Sequence, residues 1–446
     1  MKIERYPAYK DSGVEWLGDV PEHWKLQRLK DIKANIPNSF VDGPFGSNLK
    51  TEHFIENGEV YVIDSGYITS GQFEIKREFK TISNEHFLTV NRSQCSQNDI
   101  IISKIGANFG MSGILPLLDK PSLISGNTLK LTINRKLYNL KFIHYQLLNL
   151  KINGAFDVLV KGSAQPALSM GLLNPLPFPI PPLSEQKAIA HYLDTKTAQI
   201  DRKIDLLTQK ATLYSNLKQS LINETVTRGL DKTVPMKDSG IEWIGEVPEH
   251  WEIRRANDIA VQQKRKNIGL IENNLLSLSY GRIKKKDIDT SFGLLPESFE
   301  TYQIVEAGNI ILRLTDLQND QRSLRVGLAK ERGIITSAYL CLRFLRNVHP
   351  VFAYYLLFVY DISKVFYWFG GGLRQSMKFD DIKVFPFVLP PLSEQKAIAD
   401  YLDIKTAQID QIIQTINTQI EKLKELRKTL INDVVTGKIK VVENEY

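Results

Sequence analysis

Two stretches of this chain are each written twice. Residues 10–24 read KDSGVEWLGDVPEHW and residues 237–251 read KDSGIEWIGEVPEHW, while residues 181–190 and 390–399 are both PPLSEQKAIA. A repeat of about 200 residues is domain-sized, whereas solenoid units run to about 20 to 50. The chain is therefore a tandem duplication with two equivalent halves. The copies of the first stretch are 227 residues apart and those of the second 209, so the intervening block is 18 residues shorter in the second half. Two near-identical frames enclose two blocks of different text. That layout fits a frame that does one job twice, around blocks that address different targets.

With 446 residues, 43% hydrophobic and 24% charged, the chain has room for about two to four globular domains. Its two cysteines, Cys95 and Cys341, lie one in each divergent block, without a CxxC or Cys/His cluster. This argues against structural zinc or a disulfide framework and fits a reducing, cytoplasmic setting. The start, MKIERYPAYKDSG, lacks the apolar core of a signal peptide. The most apolar stretch, 351–370, is interrupted by Asp361 and Lys364. It is expected to be a buried helix followed by a loop, with no membrane contact. The net charge is +7: residues 1–183 hold 20 Lys/Arg against 17 Asp/Glu, and residues 228–389 hold 23 against 19. The basic surplus thus lies in the divergent blocks, which permits nucleic-acid binding without demanding it.

Each PPLSEQ string introduces a change of periodicity. Two prolines cannot continue a helix, and Ser184, Glu185 and Gln186 then read as an N-cap and first turn. Apolar or small residues follow at Ile189, Leu193, Thr197, Ile200, Ile204, Leu207, Ala211, Tyr214, Leu217 and Leu221. The second copy gives Ile398, Leu402, Thr406, Ile409, Ile413, Ile416, Ile420, Leu423, Leu426 and Leu430, all at an offset of 209. Steps of three and four over such a length predict a long amphipathic helix of coiled-coil type in each half. A narrow stripe is most economically covered by its counterpart. Chain order requires the pair to be antiparallel, with a globular block at each end of a helix about 60 Å long that Gly229 terminates.

The blocks share a pattern beneath their different text. Residues 98–104 (NDIIISK) align with 308–313 (GNIILR), a short strand ending in a cation at Lys104 and Arg313. A further strand pair (123–131; 334–342), a helix (142–150; 351–360) and a glycine turn (Gly162; Gly370 to Gly372) follow, with Gln165 and Arg374 after the turns at matching positions. The expectation is an α+β fold with mainly antiparallel sheets. It comprises two tandem globular domains, each followed by a long helix, the helices packed as an antiparallel coiled coil with pseudo-twofold symmetry. The boundaries are 1–180, 181–228, 229–389 and 390–446.

Catalytic motifs are missing. There is no GxxxxGK[ST] phosphate cradle and no dinucleotide fingerprint. Asn174-Pro175-Leu176-Pro177-Phe178 approaches the N/D-P-P-F/Y loop of amino-methyltransferases, but Leu176 breaks it. Asp64 with Glu74-Ile75-Lys76 imitates a nuclease metal site and has no counterpart in the second half. A catalytic role for His23 and His250 would need a base partner at fixed spacing, and a packed or interfacial PEHW turn is the better reading. No catalytic residue and no metal ligand is assigned, and the chain is read as a non-enzyme. The alternatives are a self-contained methyltransferase or nuclease, or a coiled-coil adaptor that binds only protein.

The doubled PPLSEQKAIA…LD…QID string before a long helix, with the KDSG-x-EW-x-G-x-x-PEHW cassettes, resembles the specificity (S) subunits of type I restriction–modification systems over essentially the whole chain. The resemblance implies that each block is a target recognition domain reading one half of a split double-stranded DNA sequence. It implies long helices that set the gap, and a frame that recruits two methyltransferase (M) subunits and, in the full complex, two restriction (R) subunits. Cofactors would then belong to partners, S-adenosylmethionine to M and ATP with magnesium to R, and none to this chain. Lysine-rich runs would grip phosphates: Lys76, Arg77 and Lys80 in the first block, Lys264, Arg265 and Lys266 with Arg282, Lys284, Lys285 and Lys286 in the second. Base reading needs directional donors and acceptors, which nominates Asn108, Arg313, Gln318, Arg322 and Arg325, with Lys104 beside them. Two identical M subunits need two equivalent docking surfaces. The repeated frame offers Trp16, Trp24, Trp243 and Trp251, unless those rings merely staple each cassette to its own block, and the helix charges Lys196, Asp201, Lys405 and Asp410.

Overall fold

A computed structural model describes residues 4–69, 71–160, 166–288, 298–320, 322–369 and 376–441. The expected glycine turns, with Gln165 and Arg374, lie outside the described residues. The chain divides into two compact units, Met1–Leu206 with Gln419–Tyr446, and Leu207–Thr418. Each unit therefore contains part of both long helices, Leu183–Arg228 and Leu392–Val435.

The first unit opens with the cassette hairpin, Tyr9–Asp11 against Asp19–Pro21, and then Lys25–Arg28 pairs with Pro177–Ile180. Between those last two strands sits the divergent block. One four-stranded sheet runs Ser112–Ile114, Ile100–Ser103, Thr128–Leu131, Phe40–Asp42, antiparallel throughout; a second runs Lys80–Ile82, Val60–Ile63, Ser122–Ile124, Gln94–Cys95. The expected strands at 123–131 both form, but they belong to different sheets. Ser122–Ile124 lies parallel to Val60–Ile63, the one parallel strand pairing among the described residues of this unit. The turn from Ser122–Ile124 to Thr128–Leu131 passes so close to Pro44 that a Cβ on Gly126 would sit 2.6 Å from the Pro44 carbonyl oxygen.

The run Ile100-Ile101-Ile102 is wholly buried because both faces of its strand are covered. Ile100 and Ile102 join the core that includes Phe142 and Leu193, whereas Ile101 joins a smaller one around Ile63 and Tyr67. Helix Leu140–Ile152 is buried from Phe142 through Leu150, including His144, Gln146 and Asn149, which is why it reads as continuous rather than amphipathic.

The second unit repeats the plan. Its hairpin is Met236–Asp238 with Glu246–Pro248, its closing pair Glu252–Arg255 with Pro386–Leu389, and its four-stranded sheet runs Ala260–Gln263, Leu340–Phe344, Ile310–Leu312, Val326–Leu328. Ile310 and Leu312 face one core and Ile311 another, as in the first unit. Helix Pro350–Ile362 is buried as expected, but a second short helix, Val365–Phe369, replaces the expected loop. Val365 and Phe366 are fully buried, and Phe366 stacks on Phe385, so apolar packing holds that extra turn. Among the described residues, no helix is long and apolar enough to cross a membrane.

Both long helices form, 46 and 44 residues in length, or about 65–70 Å each at 1.5 Å per residue. In the first unit Ile189 and Leu193 share a core with Ile431 and Val434, and Arg427 Nε lies 3.0 Å from Asp201, so the helices run antiparallel. In the second unit Ile222 and Val226 share a core with Ile398 and Leu402, and Lys218 Nζ lies 2.8 Å from Asp410, again antiparallel. The apolar stripe needs two corrections. Leu217 and Leu426 are more than half exposed, and the seam positions belong to their neighbours Lys218 and Arg427. A regular four–three alternation through 207, 211, 214, 218 and 221 demands this, and the charge is met by an aspartate opposite. Ser184 lies within the first turn rather than capping it, because the helix already begins at Leu183.

Candidate functional site

The frame is closed by bonds that recur between the units. The Trp24 indole N–H donates to Glu185 at 3.2 Å and His23 Nε2 lies 2.9 Å from the same carboxylate; Trp251 and His250 stand at 3.1 and 2.9 Å from Glu394. Lys10 Nζ donates to the Glu22 and Trp24 carbonyls, and Lys237 Nζ to those of Glu249 and Trp251. The buried helix is tied to the long helix in the same way. Tyr145 donates to Asp194 at 2.9 Å and Tyr355 to Asp403 at 2.7 Å, while Gln186 and Gln395 accept the backbone N–H of Asn139 and His349, each at 2.8 Å. Burial pushes the phenols of Tyr145 and Tyr355 well above their ordinary range, so both remain donors.

The second tryptophan of each cassette also packs on a glycine that ends a long helix. Gly229 (φ 75°) would bring a Cβ 3.3 Å from Trp251, and Gly437 (φ 78°) would bring one 3.3 Å from Trp24 and 2.3 Å from Pro21. Trp24 and Trp251 are therefore core residues, 0% and 1% exposed, and cannot dock a partner. They are the staples. Trp16 is 39% exposed, and Trp243 is half-buried edge-on to Tyr360 and Trp368. Lys196 and Lys405 are half-buried at matching positions, but Asp201 and Asp410 face across the helix seam rather than outward.

The divergent residues gather at one end of each sheet. In the first unit Asp42 pairs with Leu129 and Ser103 with Thr128, so the segments after both strands leave the same edge as Ser125 to Asn127. There Lys104 Nζ lies 3.9 Å from the Phe45 ring centre and 4.0 Å from Asp42; burial lowers the ammonium's pKa, opposed by Asp42. Asn108 Nδ2 donates to the Ser65 carbonyl at 3.0 Å and Asn127 Nδ2 to the Ser65 hydroxyl at 3.1 Å. Arg77 grips both Asp64 oxygens at 2.5 and 2.6 Å beside Tyr67. Lys80 lies over Phe54, opposite Val62. Lys76 pairs with Glu74 and donates to Thr69.

In the second unit Gln263 pairs with Cys341, and Leu312 with both Leu340 and Val326. Lys264, Arg265 and Lys266 and the loop from Arg313 to Leu324 thus leave one edge, and Lys264, Arg265, Lys266, Gln318 and Arg322 are exposed. Arg313 is half-buried, 3.9 Å from Asp320. Lys284, Lys285 and Lys286 are exposed but belong to a separate hairpin, Leu276–Ser279 with Arg282–Lys285. Its tip is Tyr280, 77% exposed at φ 48°, an unusual conformation for an aromatic residue. Arg282 points from that hairpin to Asp410 at 3.2 Å. Arg325 is fully buried and cannot reach a base edge.

The nuclease look-alike is filled by structural contacts. Asp64 is occupied by Arg77, and Glu74 and Lys76 pair with each other. Among the described residues no group of three or more His, Cys, Asp or Glu could hold a metal. The Asn174 carbonyl accepts the Lys30 N–H, and Phe178 is buried in the closing strand pair. The matched tyrosine–aspartate and glutamine bonds escaped the sequence reading; their signal was polar residues recurring at the offsets of the repeat.

The sequence profile of the family described as type I restriction modification DNA specificity domain matches residues 21–211 and 325–422. A putative type I restriction enzyme MjaX specificity subunit of Methanocaldococcus jannaschii is 25% identical over 443 residues, covering 95% of this chain and 96% of that protein. The type I restriction enzyme EcoBI specificity subunit of Escherichia coli is 22% identical over 350 residues, 72% and 70% of the two chains. A solved chain from work on complex assembly and conformational transition of the type I R-M system superposes with a TM-score of 0.66 at 14% identity, covering 93% of this chain and 98% of that one. At that identity the likeness concerns the fold.

Proposed function

The chain belongs to the type I restriction–modification DNA specificity family, and on that premise we propose that it reads a bipartite double-stranded DNA target, one half-site per unit. Residues 1–180 and 229–389 are the two target recognition domains, 181–228 the first connecting helix, and 390–446 the second connecting helix with the C-terminal tail. As a specificity subunit it supplies sequence recognition and not catalysis. The observation that carries the reading is the contrast within each unit. Frame bonds recur residue for residue, while the loops at the sheet edge differ in length, charge and text.

Lys76, Arg77, Lys80, Lys104 and Asn108 are the DNA-facing set we assign to the first half. Lys264, Arg265, Lys266, Arg313, Arg322 and the lysines at 284–286 form the second. Cations there supply salt-dependent phosphate affinity, and the arginine and amide side chains supply discrimination. On this reading the frame receives two methyltransferase subunits and, in the complete assembly, two restriction subunits. S-adenosylmethionine is then bound by the former, and ATP and magnesium by the latter.

Co-expression with a methyltransferase subunit in a host lacking other modification, followed by methylation mapping, tests this. A single split motif, absent without either chain, is expected. An unsplit motif, or methylation by this chain alone, would overturn the reading.

A further inference from the structure

The loop joining Ile310–Leu312 to Val326–Leu328 is built round one side chain. The Arg325 guanidinium donates to the carbonyl oxygens of Arg313 (3.2 Å), Thr315 (2.8 Å), Asp316 (3.4 Å) and Asp320, and its Nε lies 3.3 Å from the Tyr367 hydroxyl. Its backbone N–H donates to Asp361 at 2.5 Å, and its carbonyl accepts the Arg313 N–H at 2.9 Å. The Leu314 carbonyl, which Arg325 does not reach, accepts the Met377 N–H at 2.9 Å. Every carbonyl from 313 to 316 thus has a donor.

That arrangement follows from the chemistry of the group. A guanidinium carries five donors and no acceptor. Buried, it is tolerable only where acceptors converge on it, and a chain folded back on itself offers carbonyls in that geometry. The outer side of the loop is ordered separately. Asn319 donates to Asp316 at 2.7 Å, and the Asp320 carboxylate accepts the N–H of Ser323 at 3.0 Å and of Arg322 at 3.3 Å. Gln318, Asn319 and Arg322 remain exposed.

Among its described residues, the first unit has no such device. Its corresponding loop, residues 104–111, is shorter and closes on its own backbone, with Gly110 N–H to Ser103 and Met111 N–H to Asn108. Met111 holds the place of Arg325, immediately before the paired strand. The longer loop requires internal support, and the shorter one does not.

Resting on the reading that the second unit recognises one half-site, we infer that Arg325 is a positioning residue for that recognition. It touches no base. It holds residues 313–320 and Arg322 in one conformation, so that Gln318, Asn319 and Arg322 meet base edges already ordered.

The test uses the chain assembled with its methyltransferase subunit and DNA carrying single base-pair changes throughout both half-sites. Arg325→Met, and equally Arg325→Lys, which keeps the charge but loses the fork, should lower discrimination at the second half-site by about tenfold or more. Discrimination at the first half-site should be unchanged. Tyr367→Phe removes one hydroxyl from the same network and should give a loss of a few-fold confined to the same half-site; it decides the matter if the arginine variants do not assemble. Wild-type discrimination at both half-sites in assembled Arg325→Met, or in Tyr367→Phe where that variant decides, would overturn the inference. So would equal losses at both half-sites, the mark of general destabilisation. Absence of any split target in the wild-type complex would instead defeat the underlying reading.

Discussion

Glu185 accepts the indole N–H of Trp24 at 3.2 Å although the two residues are 161 positions apart, and Glu394 accepts that of Trp251 at 3.1 Å across 143. The difference is the 18 residues by which the second block is shorter. The bond is kept while the enclosed chain changes length, so each frame closes independently of what it encloses. Glu185→Ala should leave a buried indole N–H without its acceptor, at a cost of about 1–3 kcal/mol, and Glu394→Ala should do the same in the second unit. Denaturant unfolding should show one early transition for each variant, in the unit that carries it. Unchanged midpoints would mean that water replaces the carboxylate.

Independent closure also predicts what an exchange of blocks does. Replacing residues 33–175 with the block of another family member leaves Lys25–Arg28 paired with Pro177–Ile180 and the Trp24–Glu185 bond intact. Methylation mapping should show one half-site replaced and the other retained. Loss of both in a soluble chimera would contradict separate readers.

Much of this frame was legible because its signals are periodic. Seam residues recur every three or four positions, and the buried triplets at Ile100 and Ile310 announce strands covered on both faces. What escaped were places where a polar group does the work of an apolar one. Lys218 and Arg427 occupy seam positions, and their exposed neighbours Leu217 and Leu426 imitate the pattern. Arg325 failed as a nominated base reader for a related reason. Arginine type and loop position point outward to DNA, and only the converging carbonyls show that the side chain turns inward.

Asp361 gives the second unit a pH dependence with a definite sign. Burial pushes its carboxyl up to about 6, opposed by the Arg325 N–H and Lys364, and one of its oxygens is buried without a hydrogen-bond partner among the described residues. The folded state then binds the proton more tightly than the unfolded chain, whose carboxyl titrates near 4. Stability therefore rises as pH falls from above 6 to about 4, by at most about 3 kcal/mol from this group. Asp361→Asn should flatten that part of the profile. Identical pH profiles of unfolding for wild type and variant would remove the assignment.

Altering the helices should change the gap between half-sites and not the half-sites. Because seam partners face each other, an insertion must be matched: four residues after Ala211 and four after Ile416. Four residues add about 6 Å and turn a helix about 40° past a full circle, while one base-pair step turns DNA by about 35°. The recognition surfaces can then still meet the duplex, and the mapped spacer should lengthen by one or two base pairs. An unchanged spacer in a folded, active variant would end the idea that these helices measure it.

The proposed docking of methyltransferase subunits can be separated from the seam. Asp201 and Asp410 pair across the helices with Arg427 and Lys218, so reversing their charge sets like charges face to face and tests stability. Lys196 and Lys405 make lesser contacts, Lys196 with Gln199 at 3.4 Å and Lys405 above the Tyr401 ring at 5.9 Å. They recur at the same offset, so they are the cleaner probes. Lys196→Glu should weaken one methyltransferase subunit by about tenfold or more and Lys405→Glu the other, as expected for a reversed charge at an interface. Native mass spectrometry should then record one copy for each variant and none for the combination. Two copies retained by both at low concentration would eliminate these helix faces. The exposed edge of Trp16 and the half-buried Trp243 would then be the next surfaces to test, because tryptophan is among the side chains that most often anchor an interface.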